Sequence, residues 1–434
     1  MFDAVILADS PHADAVILGL TLAERARRVA LRAGARRVYV VAADTHLPNL
    51  ARWDAERGDA ALLVIRGGDQ LVHLPLVRPL LAGADRTESR VLGQTASDRF
   101  GQGDARIAVD PDGEFAGALY VRGPTAADVV AAIGRGEHDL VALVPGAERI
   151  AHGDIARHPA TTKAERKAAA RMLLRILVKQ DEDSPVSKYV YRPLSRPITR
   201  LLVGSPVTPN QVSYVVGLIG LIGCWFTAQA SQHALILGAG LVLASGILDG
   251  VDGELSRLRL TSSAYGAWLD TVVDEVTTFT YFVAIGYHTY LHHPQPWLAS
   301  TIVLGGACYL ASIYGIYYFC IVVLKAGGSQ YYVGNLEIVE TDAGVGLRPR
   351  PRAPSTLPRW MQHAGTWLLY VIRRDFINLA AFFITLVNGY AVIYGVICAG
   401  AIVAGLIVTR EHVRLRGQLR EVARRGGMPR LLQS

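Results

Sequence analysis

LDGVDGELSRLRLTSSAYGAWLDTVVDE, residues 248–275, puts Asp249, Asp252, Asp270 and Asp274 at or just inside the ends of two apolar helices. A carboxylate in a membrane segment is expensive and normally faces a partner or a cavity, so each one marks a functional site. Asp249 and Asp252 are three residues apart and Asp270 and Asp274 four apart, so on helices each pair shares one face. The short link LRLTSS lets the two helices aim all four carboxylates at one another. Without a cation they would repel and take up protons. All-oxygen ligands favour Mg²⁺, Mn²⁺ or Ca²⁺ over zinc. Gly250, Gly253 and Gly266 leave the backbone open to a phosphate, and Arg257 stands where it can pair with phosphate oxygens. Metal, arginine and open backbone together describe a diphosphate site.

Outward from this stretch the chain changes character. It has 434 residues, 51% of them apolar, and a mean hydropathy of +0.27, too high for an ordinary soluble enzyme of two or three domains. Up to about Gly204 it reads as an Arg-rich α/β protein; beyond Pro209 it becomes long apolar runs. The formal net charge is +7, but the arginines are scattered or flank apolar segments. The aromatic interleaving of a single-strand binder is missing, so no nucleic-acid partner is expected. Cys224, Cys308, Cys320 and Cys398 all lie in apolar runs with no CxxC, as small buried hydrophobes.

Spanning a bilayer takes about 20 apolar residues, which gives segments at 209–229, 232–256, 263–287, 296–324, 368–388 and 390–410. The links at 229–232, 288–296 and 388–390 contain no Lys or Arg. The alternate links carry Arg257 and Arg259, then Lys325 with Arg348, Arg350, Arg352 and Arg359, then the basic tail. By the positive-inside rule this gives six transmembrane helices with both termini and the aspartates on the cytoplasmic side of the cytoplasmic membrane. His288, His292 and His293 fall at the opposite end and read as interfacial residues. The link 325–365 reads as an ordered surface loop followed by a flexible piece. Arg192, Arg196 and Arg200 recur every four residues with Leu194, Ile198, Leu201 and Leu202 between them, the pattern of a segment lying on an anionic membrane surface.

The first 160 residues open as βαβ: DAVILA at 3–8, an amphipathic helix over 20–34, and RVYVVA at 37–42. Further strands are expected at 61–66, 106–110, 118–121 and 140–144, with a helix at 125–134. This predicts a mostly parallel, Rossmann-like sheet. The N-terminus has too short an apolar run for a signal peptide, and the domain is expected to stay in the cytoplasm. The boundaries follow: an α/β domain at 1–160, a basic linker and juxtamembrane helix at 161–208, an all-α six-helix membrane domain at 209–412, and a basic cytoplasmic tail at 413–434.

The α/β domain resembles sugar-phosphate or polyol-phosphate nucleotidyltransferases in layout, with Asp69 of VIRGGDQL where those domains keep a metal-binding aspartate. The resemblance stops at the loop after the first strand, ADSPHADAVILG, which has no glycine before Gly19 and no lysine; the first lysine is Lys163. Asp154 is the one candidate for a second metal aspartate. The domain is therefore expected to be inactive as a nucleotidyltransferase, with a structural or regulatory role.

The aspartate stretch, D-G-V-D-G-E-L-S-R, eight residues, then G-A-W-L-D-T-V-V-D, resembles the signature of the CDP-alcohol phosphotransferase family. Every spacing agrees, and Ser256 replaces an alanine. The resemblance implies that Asp249, Asp252, Asp270 and Asp274 bind Mg²⁺ or Mn²⁺ and that Asp274 also acts as general base. It implies that Gly253, Arg257 and Gly266, with Asn210 and Gln211 at the mouth of the first span, line the pocket for cytidine and diphosphate. It further implies a CDP-alcohol donor, an alcohol or polyol-phosphate acceptor, a bilayer setting and a homodimer. The order of domains resembles bifunctional inositol-phosphate cytidylyltransferase and CDP-inositol phosphotransferase proteins. A cation-coupled transporter is the competing reading of clustered membrane carboxylates, but such proteins show internal repeats, and none is visible here.

Overall fold

A computed structural model describes residues 1–43, 47–82, 105–137, 139–177, 184–325, 332–341, 344–350, 373–427 and 431. The chain falls into two compact units: residues 1–179 with 200–205 and 256–261, and residues 180–199, 206–255 and 262–434.

The first unit is built on β1 (Phe2–Ala8), whose seven residues are all buried. A continuous apolar run of this kind belongs in the middle of a sheet covered on both faces. β2 (Ala35–Ala42) and β3 (Ala61–Arg66) pair with it in parallel, one on each side. Helix α1 (Leu22–Arg32) connects β1 to β2; Thr21 caps it by accepting the Glu24 N–H. β4 (Ala105–Val109), β5 (Phe115–Val121) and β6 (Glu148–Ala151) complete a six-stranded sheet in the order β2-β1-β3-β5-β4-β6. β5 runs antiparallel to both β3 and β4, and the other five strands point the same way, so the sheet is mostly parallel, as expected, with one reversed strand. Helix α2 (Leu47–Ala55), helix α3 (Leu74–Leu81) and helix α4 (Thr125–Gly134) accompany it.

The apolar run at 140–144 is not a strand. Val144 N–H donates to Val141 O and Ala147 N–H to Val144 O, a pair of turns. Leu140 and Val144 still pack into the core with Val129 and Ile133 of α4. Burial explains their apolarity without any pairing, and the last strand forms a few residues later. Helix α5 (Lys163–Leu174) follows, opened by a capping box between Thr162 and Glu165.

A charge sits inside β1. Asp3 is fully buried, and Arg36 and Arg37 of β2 donate to its carboxylate at 2.7–3.0 Å. Burial pushes the Asp3 pKa up, and the hydrogen bonds from the two arginines reverse this and leave it below the ordinary carboxylate range.

The second unit is helical. A π-turn at Ser187–Tyr191 leads into α6 (Arg192–Leu202), a helix despite Pro193 and Pro197. Then come α7 (Pro209–Thr227), α8 (Gln232–Arg259), α9 (Ala264–His292) and α10 (Pro296–Tyr318), the last extended by a π-turn to Leu324. α11 (Arg374–Leu386) and α12 (Tyr390–Arg424) finish the bundle. Thr208 and Gln211 form a capping box with Pro209 at the first helical position, the reason VTPNQ starts α7 where it does.

Among the described residues, α7, α8, α10 with its extension, and α12 are long and apolar enough to cross a membrane. Tyr214, Leu218, Trp225, Val303, Val396 and Leu406 stand exposed on them, the surface lipid would cover. α9 is 29 residues long but interrupted by carboxylates, and α11 has 13 residues. Each of the six expected segments overlaps one of the helices α7 to α12, but four meet the spanning criterion.

Two further differences concern the ends. The basic tail continues α12 as one helix to Arg424, and β7 (Leu336–Thr341) and β8 (Gly344–Pro349) form an antiparallel hairpin in the link read as loop. Leu336, Val345 and Leu347 pack with Val323, Leu415 and Val422, so the tail has an apolar face to bury. Residues 326–331 and 351–372, with Arg352, Arg359 and the start of the fifth expected span, lie outside the described residues. His288 is buried (1% exposed), with its Nδ1 2.6 Å from Gln229 O.

Asp3 yields a test of the first unit. A depressed folded pKa contributes stability above the unfolded value, lost as pH falls through the folded one. Asp3→Asn leaves two arginines without their shared buried carboxylate, a change on the order of 3 kcal/mol. In the full chain, amide exchange in β1 and β2 should quicken by about two orders of magnitude at neutral pH. The gap to wild type should close as pH falls below about 4. Unchanged exchange at neutral pH would contradict this role.

Candidate active site

α8 and α9 carry the four aspartates as the spacing predicts, and three of them meet. Oxygens of Asp249, Asp270 and Asp274 lie within 4.8 Å of one another. α9 is set in place by its N-cap: Ser263 Oγ accepts the Gly266 N–H at 3.0 Å, which starts the helix about two turns before Asp270. α7 supplies the third wall, and Ser245 Oγ donates to Val216 O at 3.0 Å between α8 and α7.

Asp252 does not join the trio. It is buried (8% exposed), and its Oδ2 accepts from Ser213 Oγ of α7 while its Oδ1 accepts the Gly253 N–H. Three residues along a helix rotate a side chain by about 300°, so a pair on one face is still offset. Here the offset carries Asp252 toward α7.

Positive charge comes from α11. Arg374, its first residue, pairs with Asp274 through Nη1 and lies 3.4 Å from Asp249 Oδ2 through Nη2. Three carboxylates this close need cationic charge, and the guanidinium supplies one unit of it. The remaining charge imbalance and the all-oxygen donor set fit a hard divalent cation. Arg374 is fixed through its neighbour: Ser184 Oγ donates to Asp375 Oδ2, and Tyr191 O–H donates to Asp375 O at 3.0 Å.

Beside the trio lies a cavity of about 310 Å³, lined by Asp249, Asp274, Arg192, Ser195, Arg373 and Arg374 among others. Its lining brings acidic and basic side chains together, an arrangement suited to a metal beside phosphate oxygens. Asn210 Oδ1 stands 3.2 Å from where a side chain at Gly266 would begin, so Asn210 and Gly266 are neighbours. The Gln211 side chain accepts from Thr208 N–H in the helix cap at 2.9 Å. Arg257 lies in the stretch 256–261 that groups with the first unit.

Arg192 was expected on a membrane surface by its four-residue rhythm with Arg196 and Arg200. Its side chain is instead 11% exposed and paired with the fully buried Glu254 at 2.9 Å. Glu254 is a functional candidate the sequence reading passed over. It sits between Gly253 and Arg257 in the signature itself, and a carboxylate inside an apolar helix was the available signal.

In the first unit, a cavity of about 430 Å³ lies at the carboxyl ends of β1 and β3, lined by Asp9, Ser10, Arg66 and Asp69 among others. Asp69 is paired with Arg66 three residues before it, an ordinary turn contact that already neutralises the carboxylate.

Comparison with known proteins agrees with this geometry. The family model described as CDP-alcohol phosphatidyltransferase matches residues 206–329. The chain is 35% identical over 146 residues to a bifunctional IPC transferase and DIPP synthase of Thermococcus kodakarensis, covering 34% of this chain and 32% of that protein. It is 31% identical over 127 residues to the protein of that name in Aquifex aeolicus, 29% of this chain and 28% of the other. An archaetidylinositol phosphate synthase of Pyrococcus horikoshii is 31% identical over 106 residues, 24% of this chain and 54% of that protein. The chain thus matches about a third of the length of the first of these relatives. The residues that match this family model run from α7 to the end of α10 and include the aspartate trio.

Proposed function

We propose that the second unit is a membrane-embedded CDP-alcohol phosphotransferase, which moves a substituted phosphate from a CDP-alcohol to an acceptor hydroxyl and releases CMP. The observation that carries this is the trio of Asp249, Asp270 and Asp274, with oxygens within 4.8 Å, inside the matched domain. These three, with Asp252 close by on α8, would hold Mg²⁺ or Mn²⁺. When bound, such an ion neutralises the diphosphate and orients it for displacement.

Asp274 takes the proton from the acceptor hydroxyl. The hydroxyl oxygen forms its bond to the β-phosphorus as the bond from that phosphorus to the bridging oxygen breaks, and CMP leaves with the bridging oxygen. The proton then passes from Asp274 to solvent. Base catalysis of this kind contributes about 10²–10⁴-fold. Arg374 orients the Asp274 carboxylate and offers charge to the transferring phosphoryl group. Gly253, Arg257, Gly266 and Asn210 are assigned to the cytidine and diphosphate by their place in the signature. Arg373 and Arg374 in the cavity lining support an acceptor that carries a phosphate of its own. The relatives' names, with an inositol phosphate product among them, point the same way.

The finer topology is part of this reading. Six membrane segments, both termini and the aspartates on the cytoplasmic side, follow from the alternation of neutral and basic links. A homodimer follows from the family resemblance. The first unit is read as inactive in nucleotidyl transfer: it lacks a Gly-rich phosphate loop and a lysine behind it, and Asp69 is already paired with Arg66.

Purified protein should release CMP from at least one pair in a panel of CDP-alcohols and plain or phosphorylated polyol and lipid acceptors. Chelation should stop the release and Mg²⁺ or Mn²⁺ restore it. Asp274→Asn should slow it by at least about 100-fold; an Asp274→Asn rate equal to wild type would remove the assigned base. For the first unit, CTP with a polyol phosphate should yield no pyrophosphate, and turnover there would overturn its reading as inactive.

A further inference from the structure

We propose that Glu254 is a positioning residue: it locks α6 against α8 so that Arg192 is held in the lining of the aspartate cavity, where it receives a phosphate group of a substrate. This rests on the function proposed above. Glu254 is fully buried, and three side chains from one face of α6 satisfy it. Arg192 Nη1 donates to Oε1 at 2.9 Å, Ser195 Oγ to Oε1 at 3.2 Å, and Thr199 Oγ1 to Oε2. Ser195 and Thr199 are themselves buried at 1% and 0% exposure. Residues 192, 195 and 199 are spaced to line one helix face.

The helix needs such an anchor. Pro197 removes a backbone donor from the interior of α6, and the preceding turn is a π-turn, so backbone bonding alone fixes the segment loosely. A buried carboxylate, for its part, is costly unless paired and hydrogen-bonded. Each side therefore meets the other's requirement.

The same contact aims Arg192. Its guanidinium lines the cavity together with Asp249 and Asp274, and its Nη1 stands 2.9 Å from where a Cβ at residue 250 would be. Gly250, directly after Asp249, is what lets the guanidinium lie against α8 at this level. Glu254 and Asp249 are five residues apart on the same helix, so the anchor of Arg192 and the acidic part of the cavity lining are rigidly linked. A planar guanidinium recognises phosphate oxygens through paired N–H groups, which a lysine would not reproduce. The phosphate is either the diphosphate of the donor or one carried by the acceptor, and steady-state kinetics separate the two.

The test is Glu254→Gln in the full-length protein, which keeps volume and removes charge. CMP release is measured while each substrate is varied in turn, with amide exchange across residues 192–199 as a second readout. The expected result is a KM raised about tenfold or more for one substrate, kcat within about threefold of wild type, and faster exchange in α6. The substrate affected names the phosphate that Arg192 receives. Should Glu254→Gln fail to fold, the double variant Glu254→Gln with Arg192→Gln removes both charges together. It should fold and show the same KM defect as Arg192→Gln alone. Wild-type KM values for both substrates in whichever of these variants folds would overturn the proposal, as would unchanged exchange in α6. If wild type itself releases no CMP with any pair, the proposed function fails, and the exchange readout still decides the anchoring.

Discussion

Charge inside apolar helices is the constraint on which the second unit depends. Asp249, Asp270 and Asp274 approach to within 4.8 Å in helices that otherwise belong in a membrane, where an uncompensated carboxylate is not tolerated. Every nearby feature answers to that. Arg374 opens α11 with its guanidinium on Asp274 and Asp249, Ser213 of α7 takes up Asp252, and Arg192, Ser195 and Thr199 enclose Glu254. Five carboxylates thus tie α6, α7, α8, α9 and α11 into one arrangement. The chemistry and the packing of this half are the same set of contacts.

That economy has a functional meaning. Residues that neutralise the carboxylates also surround the cavity beside them, so a phosphate arriving there meets arginines already fixed in place. Preorganised charge of this kind acts without reorganising during the reaction. The placement of Arg374 on the first turn of its helix, held through Asp375 by Ser184 and Tyr191, gives the juxtamembrane segment a part in the site that its composition alone does not suggest.

Much of this was legible in the sequence. The spacing of the aspartates put all four on two helices, where three of them meet, the apolar run at 209–229 announced a helix, and DAVILA announced a strand. What was not legible had physical reasons. Asp252 shares a helix face with Asp249 only approximately, and a neighbouring serine decided its direction. Arg192 has the periodicity of a surface residue, and only tertiary structure shows that Glu254 draws it inward. LVALV at 140–144 is apolar because Leu140 and Val144 fill the core, which a strand would also require, so composition could not separate turn from strand. The hairpin at 336–349 depends on partners in α12 some 70 residues later in the chain, outside the reach of any local pattern.

The central claim is that the trio is a divalent metal site that receives a diphosphate. Mn²⁺ binding followed by electron paramagnetic resonance tests it most directly, on the intact protein with and without a CDP-alcohol. The account predicts saturable Mn²⁺ binding that Asp270→Asn abolishes, with the signal of the bound ion changing when the CDP-alcohol is added. Equal Mn²⁺ binding by wild type and Asp270→Asn, or a bound-ion signal indifferent to the CDP-alcohol, would contradict it.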